Sequence, residues 1–299
     1  MSISLIALDW GTTSLRAYLI GDDGVIAARR EGGPGIMRIE GGAFEAALRG
    51  FCGDWLDAHP QAVLMACGMI GSKQGLIEAP YCLCPAGAAQ LAAHVVRVTL
   101  SDGRQLAIVP GVSTVDASTG VPDVMRGEET QIVGAVPPIG NHVVVLPGTH
   151  SKWAWVEDGA IKGFASFMTG EVYAALMGHT ILGRLMASDA AHDAASFSRG
   201  VAYGLEAPQQ FLHRIFSART LGLFGTLESA ALPSYLSGLL IGAEIGGAHS
   251  LHPVTGRIIL LGSANLTARY AEGMKAANLA TVAGAPEAAA CGLTRLAKA

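Results

Sequence analysis

The chain has 299 residues, of which 51% are hydrophobic and 15% charged, and a formal net charge of −4 with only 20 Lys plus Arg. That is enough apolar material for a large core and roughly two domains of ~150 residues each. It argues against long disorder and gives no bulk electrostatic reason to bind nucleic acid or an anionic membrane. No apolar run approaches the ~18 residues of a membrane span; the nearest, 235–248, is broken by Ser237, repeated glycines and Glu244. The start, Met1-Ser2-Ile3-Ser4, lacks a basic segment and runs straight into a strand, so no leader is expected and the expected location is cytoplasmic. Five cysteines with no Cys-x-x-Cys spacing fit reduced thiols, and neither Cys82/Cys84 nor His249/His252 makes a metal site alone.

In chain order, 3–8, 14–20 and 25–30 read as three strands, with Gly21-Asp22-Asp23-Gly24 turning between the last two. Residues 31–40 read as a glycine-rich loop. Phe44, Leu48, Phe51, Cys52 and Trp55 then recur at helical spacing over 43–58, closed by His59-Pro60. The short apolar run 62–66 reads as a buried parallel strand after a crossover helix. It leads into Gly68-Met69-Ile70-Gly71-Ser72-Lys73, a loop at the carboxyl end of a strand, where ligands of open α/β sheets sit. A hairpin over 94–100 and 105–109 follows, then an irregular stretch, 110–123. Met125-Arg126-Gly127-Glu128-Glu129 opens a helix with two carboxylates in its first turn, and Pro137-Pro138-Ile139-Gly140 marks a boundary between domains 1–138 and 139–299.

The second domain opens on a strand at 143–146 and continues with a turn and a strand. A strand at 160–165 follows, and a helix begins at Phe167-Met168-Thr169-Gly170-Glu171. Helical patterns fill most of 172–223. Residues 234–247 form a helix of small residues able to pack closely on a neighbour. A buried strand, 257–261, runs into Gly262-Ser263-Ala264-Asn265, which opens another helix; a short strand at 281–283 and a terminal helix at 287–296 complete the chain.

The two domains repeat one string. Gly11-Thr12-Thr13-Ser14-Leu15-Arg16-Ala17-Tyr18 and Gly148-Thr149-His150-Ser151-Lys152-Trp153-Ala154-Trp155 share Gly-Thr-x-Ser-x-x-Ala-aromatic at a constant offset of 137, and the second hairpin is two residues shorter. A Gly-Thr turn between two strands presents backbone N–H groups and hydroxyls that suit a phosphate. Two such turns predict a pair of lobes that clamp one polyphosphate. Gly11, Thr12 and Thr13, with Gly148, Thr149, His150 and Ser151, are the candidate phosphate ligands, and Gly262 and Ser263 suit the nucleoside end of ATP; Ser263 or Asn265 would equally serve as an N-cap. Asp9, at the end of the first strand, is the candidate ligand for Mg²⁺, which takes one or two carboxylates and keeps several waters. Glu128 and Glu129 are the candidate catalytic bases. Adjacent helical residues point in different directions, so one of them faces the site, and Glu128, next to Gly127, is preferred. Gly71, Ser72 and Arg126 are candidate substrate contacts; Arg126 ranks above Arg16 for neutralising negative charge, and Lys73 reads as a surface lysine.

These pieces, in this order, resemble the actin/Hsp70/sugar-kinase superfamily. The resemblance implies an α/β, duplicated ribonuclease H-like fold of two lobes with ATP in the interlobe cleft. Asp9-Trp10-Gly11-Thr12-Thr13 resembles the first phosphate motif, Gly148-Thr149 the second and Leu261-Gly262-Ser263 the adenosine motif. More narrowly, the strings 125–131, 147–153, 237–244 and 266–270, with 68–72 and Pro80-Tyr81, resemble the 2-dehydro-3-deoxygalactonokinase family. Related carbohydrate kinases place a Gly-Asp base where this chain has Gly127-Glu128, so the choice between the two glutamates stays open. The family implies ATP- and Mg²⁺-dependent phosphorylation of the 6-hydroxyl of 2-dehydro-3-deoxy-D-galactonate; another small keto-sugar acid kinase, or a nucleotide-gated binding module, are the alternatives. Its expected partners are the sugar acid and ATP, with no nucleic acid and no membrane; a homodimer is allowed but not required.

Overall fold

The structure, a computed structural model, describes residues 2–254 and 256–299. The chain groups into two compact units: Met1–Asn141 with Trp155–Phe164 and Ala285–Ala299, and His142–Ala154 with Ala165–Gly284.

In unit 1, β1 (Ile3–Trp10), β2 (Ser14–Gly21) and β3 (Ile26–Pro34) form an antiparallel meander. Leu5 to Leu8 are buried in succession rather than alternately, as expected of a strand covered on both faces. Helix α1 (Phe44–Ala58) buries Phe44, Leu48, Cys52 and Leu56, spaced four apart, together with Trp55 on the same face, and crosses over to β4 (Val63–Cys67), which runs parallel to β1. Next come β5 (Tyr81–Leu83), α2 (Ala88–Ala93), β6 (Val96–Thr99) and β7 (Gln105–Ile108), and the sheet has the order β3-β2-β1-β4-β7-β6. Strands β8 (Gly111–Val115) and β9 (Pro122–Met125) join β5 in a small sheet of order β5-β8-β9, ahead of α3 (Glu128–Ala135).

Two sequence expectations are corrected here. The loop expected at 31–40 begins as strand: β3 continues through Glu31-Gly32-Gly33-Pro34, with Gly33 opposite Leu15 and Pro34 opposite Ser14. Its glycine serves packing, since a Cβ at Gly33 would stand 2.8 Å from the Phe51 ring, and the proline is tolerated because β3 is an edge strand. The irregular stretch 110–123 contains β8 and the start of β9; turn-forming residues between them masked two short strands that find their partners only in the small sheet.

The second half of the chain carries β10 (Asn141–Leu146), β11 (Ser151–Glu157), β12 (Ala160–Phe167), α4 (Thr169–His179), α5 (Ala194–Glu206), α6 (Phe211–Arg214), α7 (Ser217–Leu223), α8 (Leu232–Leu251), β13 (Arg257–Leu260), α9 (Ala264–Ala276) and β14 (Ala280–Ala283), with Trp155–Phe164 of β11 and β12 grouped in unit 1. Its sheet has the order β12-β11-β10-β13-β14, with β10, β13 and β14 parallel. With β5, which joins the small sheet, and β6, an added edge on the first copy, left aside, both sheets follow the order 3-2-1-4-5, so the fold is mixed α/β and duplicated in the ribonuclease H-like manner. The small-residue helix predicted at 234–247 is α8, and it meets α5 backbone to backbone. A Cβ at Gly200 or Gly204 would overlap the backbone of α8, and one at Gly238 or Gly242 that of α5. The last helix, α10 (Ala288–Lys298), belongs to unit 1 and lies as closely on α3 through Gly134 and Gly292. Arg295 Nη1 donates to the Val136 carbonyl at 2.7 Å and to that of Val133, covering acceptors that the end of α3 leaves free. Among the described residues no helix is long and apolar enough to cross a membrane.

Candidate active site

The first Gly-Thr turn joins β1 to β2. Gly11 N–H donates to the Ser14 carbonyl at 3.0 Å, and the Gly11 and Thr12 carbonyls accept from Ile36 and Met37 at 3.1 and 3.2 Å. The turn is therefore held from behind, while Thr12 and Thr13 are exposed. Gly35 presses against it so closely that any Cβ would overlap the backbone of Thr12 to Ser14. The second turn repeats this construction. Gly170, at the start of α4, lies against Gly148 and Thr149 just as tightly, and Glu171 N–H donates to the Thr149 carbonyl at 3.0 Å. Gly35 and Gly170 are 135 apart, which is the offset of the motifs less the two residues missing from the second hairpin.

A further pair of glycines marks the ends of the parallel strands. Gly68 follows β4 at φ +91°, and a Cβ there would stand 2.8 Å from the Trp10 carbonyl. Gly262 follows β13 at φ +145°, and its Cβ would stand 3.4 Å from the Pro147 carbonyl. Trp10 and Pro147 each immediately precede a turn glycine, so both turns rest on the same strand-end contact. Gly148 has open space around it, and Thr149 and His150 are exposed; His150 Nε2 is paired with Glu171. Ser151 behaves differently. Its hydroxyl is fully buried and bonded to Tyr270 Oη at 2.7 Å, so the side chain expected on the phosphate is turned inward.

That bond belongs to a buried network. Tyr270 donates to Glu244 Oε2 at 2.6 Å and Trp153 Nε1 to Glu244 Oε1 at 2.8 Å, with Thr169 also bonded to Glu244. Burial pushes the Glu244 carboxyl up, and the hydrogen bonds pull it partly back. The network ties the second turn, the start of α4 and the helix after Gly262 to one carboxylate on α8. Sequence reasoning missed its role, although a lone glutamate in an otherwise apolar helix was the available signal. At the other end of α9, Gly262 and Ser263 are exposed. Ser263 occupies the N-cap position without a side-chain capping bond, so its hydroxyl is free.

In unit 1 the acidic candidates gather near Gly68. Gly127, at φ +108°, lies with its would-be Cβ 3.1 Å from the Gly68 Cα, which brings the start of α3 to the end of β4. Asp9 sits opposite Arg16 on β2 and opposite Cys67 on β4. Its side chain is 14% exposed, and Arg16 Nη1 reaches Oδ2 only at 3.5 Å. Burial raises the Asp9 carboxyl above its ordinary range, with Arg16 opposing. Cys67, buried between the fields of Asp9 and Glu129, has its thiol pushed far up.

The two glutamates part here. Glu129 is fully buried; it accepts from Gly127 N–H at 2.6 Å and from Thr130 Oγ1 at 2.9 Å, and burial, with Glu128 adding to it, pushes it up to about 8. Glu128 is half-buried and accepts from Arg126 N–H at 3.0 Å. Gly71 and Arg126 come together, since a Cβ on Gly71 would be 3.2 Å from Arg126 Nη1. Ser72 is half-buried on the same loop, and Lys73 is exposed.

A duplicated fold with a cushioned, donor-rich turn in each copy and carboxylates at the strand ends of one copy defines a phosphoryl-transfer enzyme, a kinase of the ribonuclease H-like kind. The family model for 2-keto-3-deoxy-galactonokinase matches residues 9–296, and the chain belongs to that family. It is 36% identical over 298 residues to a protein of Rhizobium meliloti (strain 1021) named a probable 2-dehydro-3-deoxygalactonokinase, covering 98% of this chain and 96% of that one. It is 33% identical over 276 residues to the 2-dehydro-3-deoxygalactonokinase of Escherichia coli (strain K12), covering 92% and 91%. A crystal structure from Sinorhizobium meliloti that carries the same name provisionally superposes with a TM-score of 0.88 at 35% identity, over 98% of each chain.

Proposed function

We propose that this chain transfers the γ-phosphoryl group of ATP to the 6-hydroxyl of 2-dehydro-3-deoxy-D-galactonate, in the cytoplasm. The observation that carries this reading is its kinship over nearly its full length with 2-dehydro-3-deoxygalactonokinases.

The residues are suited to the chemistry. Phosphoryl transfer asks mainly for positioning and for neutralisation of spreading negative charge. The amides and hydroxyls of Gly11, Thr12, Thr13, Gly148 and Thr149 hold the phosphates, with His150 beside them, and the Gly262–Ser263 turn receives the nucleoside. Ser151 acts from below, through Tyr270. Glu128 accepts the proton of the 6-hydroxyl as the O6–phosphorus bond forms and the bond from phosphorus to the β-phosphate oxygen breaks, releasing ADP. Glu129, sealed beneath the helix start, holds Gly127 and Thr130 in place. Gly71, Ser72 and Arg126 contact the sugar acid.

Asp9 fits Mg²⁺: it is a single, largely desolvated carboxylate with one long ion pair, and this metal needs only one or two carboxylates beside water and phosphate. When bound there it supplies charge neutralisation to the phosphates. The test is ADP release with ATP and a panel of 3-deoxy-2-keto sugar acids, including the gluconate-derived epimer. Preference for the galactonate-derived acid is expected, and equal or better turnover of another member would reassign the substrate.

A further inference from the structure

Arg126 is 9% exposed, yet no carboxylate stands within ion-pair distance of it among the described residues. Its Nη2 donates to the Ala79 carbonyl at 2.7 Å, and its Nε and Nη1 have no partner. Its central guanidinium carbon lies 4.3 Å from the centroid of the Tyr81 ring. Stacking on an aromatic face returns part of the lost hydration. A buried charge without a counter-charge nevertheless carries a large desolvation penalty. The surroundings are shaped to keep the group there. Gly71 leaves room for Nη1, and Gly111 leaves room for the Tyr81 ring, where a Cβ would stand 2.6 Å from ring carbons. Tyr81 is itself 42% exposed, so its ring is the wall between the guanidinium and solvent. Two residues on, Glu128 accepts the Arg126 N–H, so the cation and the proposed base share one turn.

We infer that Arg126 is the counter-ion of the substrate's carboxylate, received on the donors that lack partners, with Tyr81 as the flat wall that the planar 2-keto acid displaces or lies along. This makes Arg126 the residue that selects an acid over a neutral sugar, and it rests on the kinase reading above. Arginine suits the task because its planar donors match a carboxylate and its charge persists at every physiological pH.

The test compares wild type with Arg126→Gln and Arg126→Lys on two substrates, 2-dehydro-3-deoxy-D-galactonate and its neutral carboxamide. A charge-assisted hydrogen bond is worth about 1.5–3 kcal/mol, so Arg126→Gln should raise KM for the acid roughly 10- to 150-fold. The KM for ATP should stay unchanged, the carboxamide should lose far less than the acid, and Arg126→Lys should recover part of the loss. Calorimetric binding of the acid without ATP should show the same drop. Parallel losses on acid and carboxamide, or an unchanged KM for the acid, would overturn the inference. If wild type turns over no sugar acid, the kinase reading fails, and calorimetry still decides for Arg126: acid binding that Arg126→Gln abolishes sustains it, and absence of binding in wild type removes it.

Discussion

Unit 1 carries Asp9 two residues before its turn glycine and starts its second strand with Ser14-Leu15; at the equivalent places unit 2 has Leu146 and Ser151-Lys152. The backbone devices are the same in both: a glycine pressed on each turn, and a positive-φ glycine against the residue before it. The charges are not. The first copy carries Asp9, Glu128 and Glu129 around its strand ends, whereas the second has a buried Lys152 where the first has Leu15, and keeps Glu244 inside a closed hydrogen-bond network. Duplication has kept what shapes a turn and has let what does chemistry diverge. Anion-binding geometry is a property of backbone, which sequence drift spares while the glycines remain; a proton acceptor or metal ligand needs only one copy.

Substitutions can press on each side of that comparison. The largest effects should come from the acidic side. Glu128→Gln should lower kcat by about two to four powers of ten, and Asp9→Asn by about two to three, each with an unchanged melting temperature; normal kinetics in either would move the chemistry away from unit 1. Next come the shared glycines. Gly35→Ala and Gly170→Ala should each raise the KM for ATP and destabilise by about 1–3 kcal/mol or more, because a Cβ has no room in either place. If only one of the pair does so, the two turns are not functional equivalents. Glu244→Gln leaves a buried donor or acceptor poorly matched and should cost about 1–3 kcal/mol, read as a drop of a few degrees in Tm.

The last effect is a pH dependence. Glu129 has an ordinary value near 4.5 in the unfolded chain and about 8 when folded. Between these values the folded protein holds a proton that the unfolded chain has lost, so stability falls as pH rises through that window. Gln at this position accepts from Gly127 and donates to Thr130, as the protonated acid would. Glu129→Gln should therefore match wild type near about pH 5 and melt higher near about pH 8. A uniform destabilisation at both pH values would mean that Glu129 is needed as an anion.

The repeat was legible because identical residues stood at a fixed spacing, and both second strands do begin at the paired serines, Ser14 and Ser151. Strand ends and helix starts followed from glycine and apolar runs. What escaped was decided by partners distant in the chain. Gly32-Gly33-Pro34 looks like a loop until Phe51 is set against Gly33. Nothing local in Ser151 tells that Tyr270, 119 residues on, will claim its hydroxyl. Likewise the difference between Glu128 and Glu129 is a matter of which carboxylate the surrounding elements seal from solvent, and two adjacent identical letters cannot carry it.

The placement of α10 bears on how the protein is made. This helix is encoded after the whole of unit 2, yet it is the neighbour of α3, with Arg295 covering the carbonyls of Val133 and Val136. On the ribosome, β1 to α3 emerge early and then wait, one flank bare, while some 150 further residues are translated. The segment bearing Glu128 acquires its supporting neighbour only after unit 2 has been made, which delays the birth of activity until α10 has emerged.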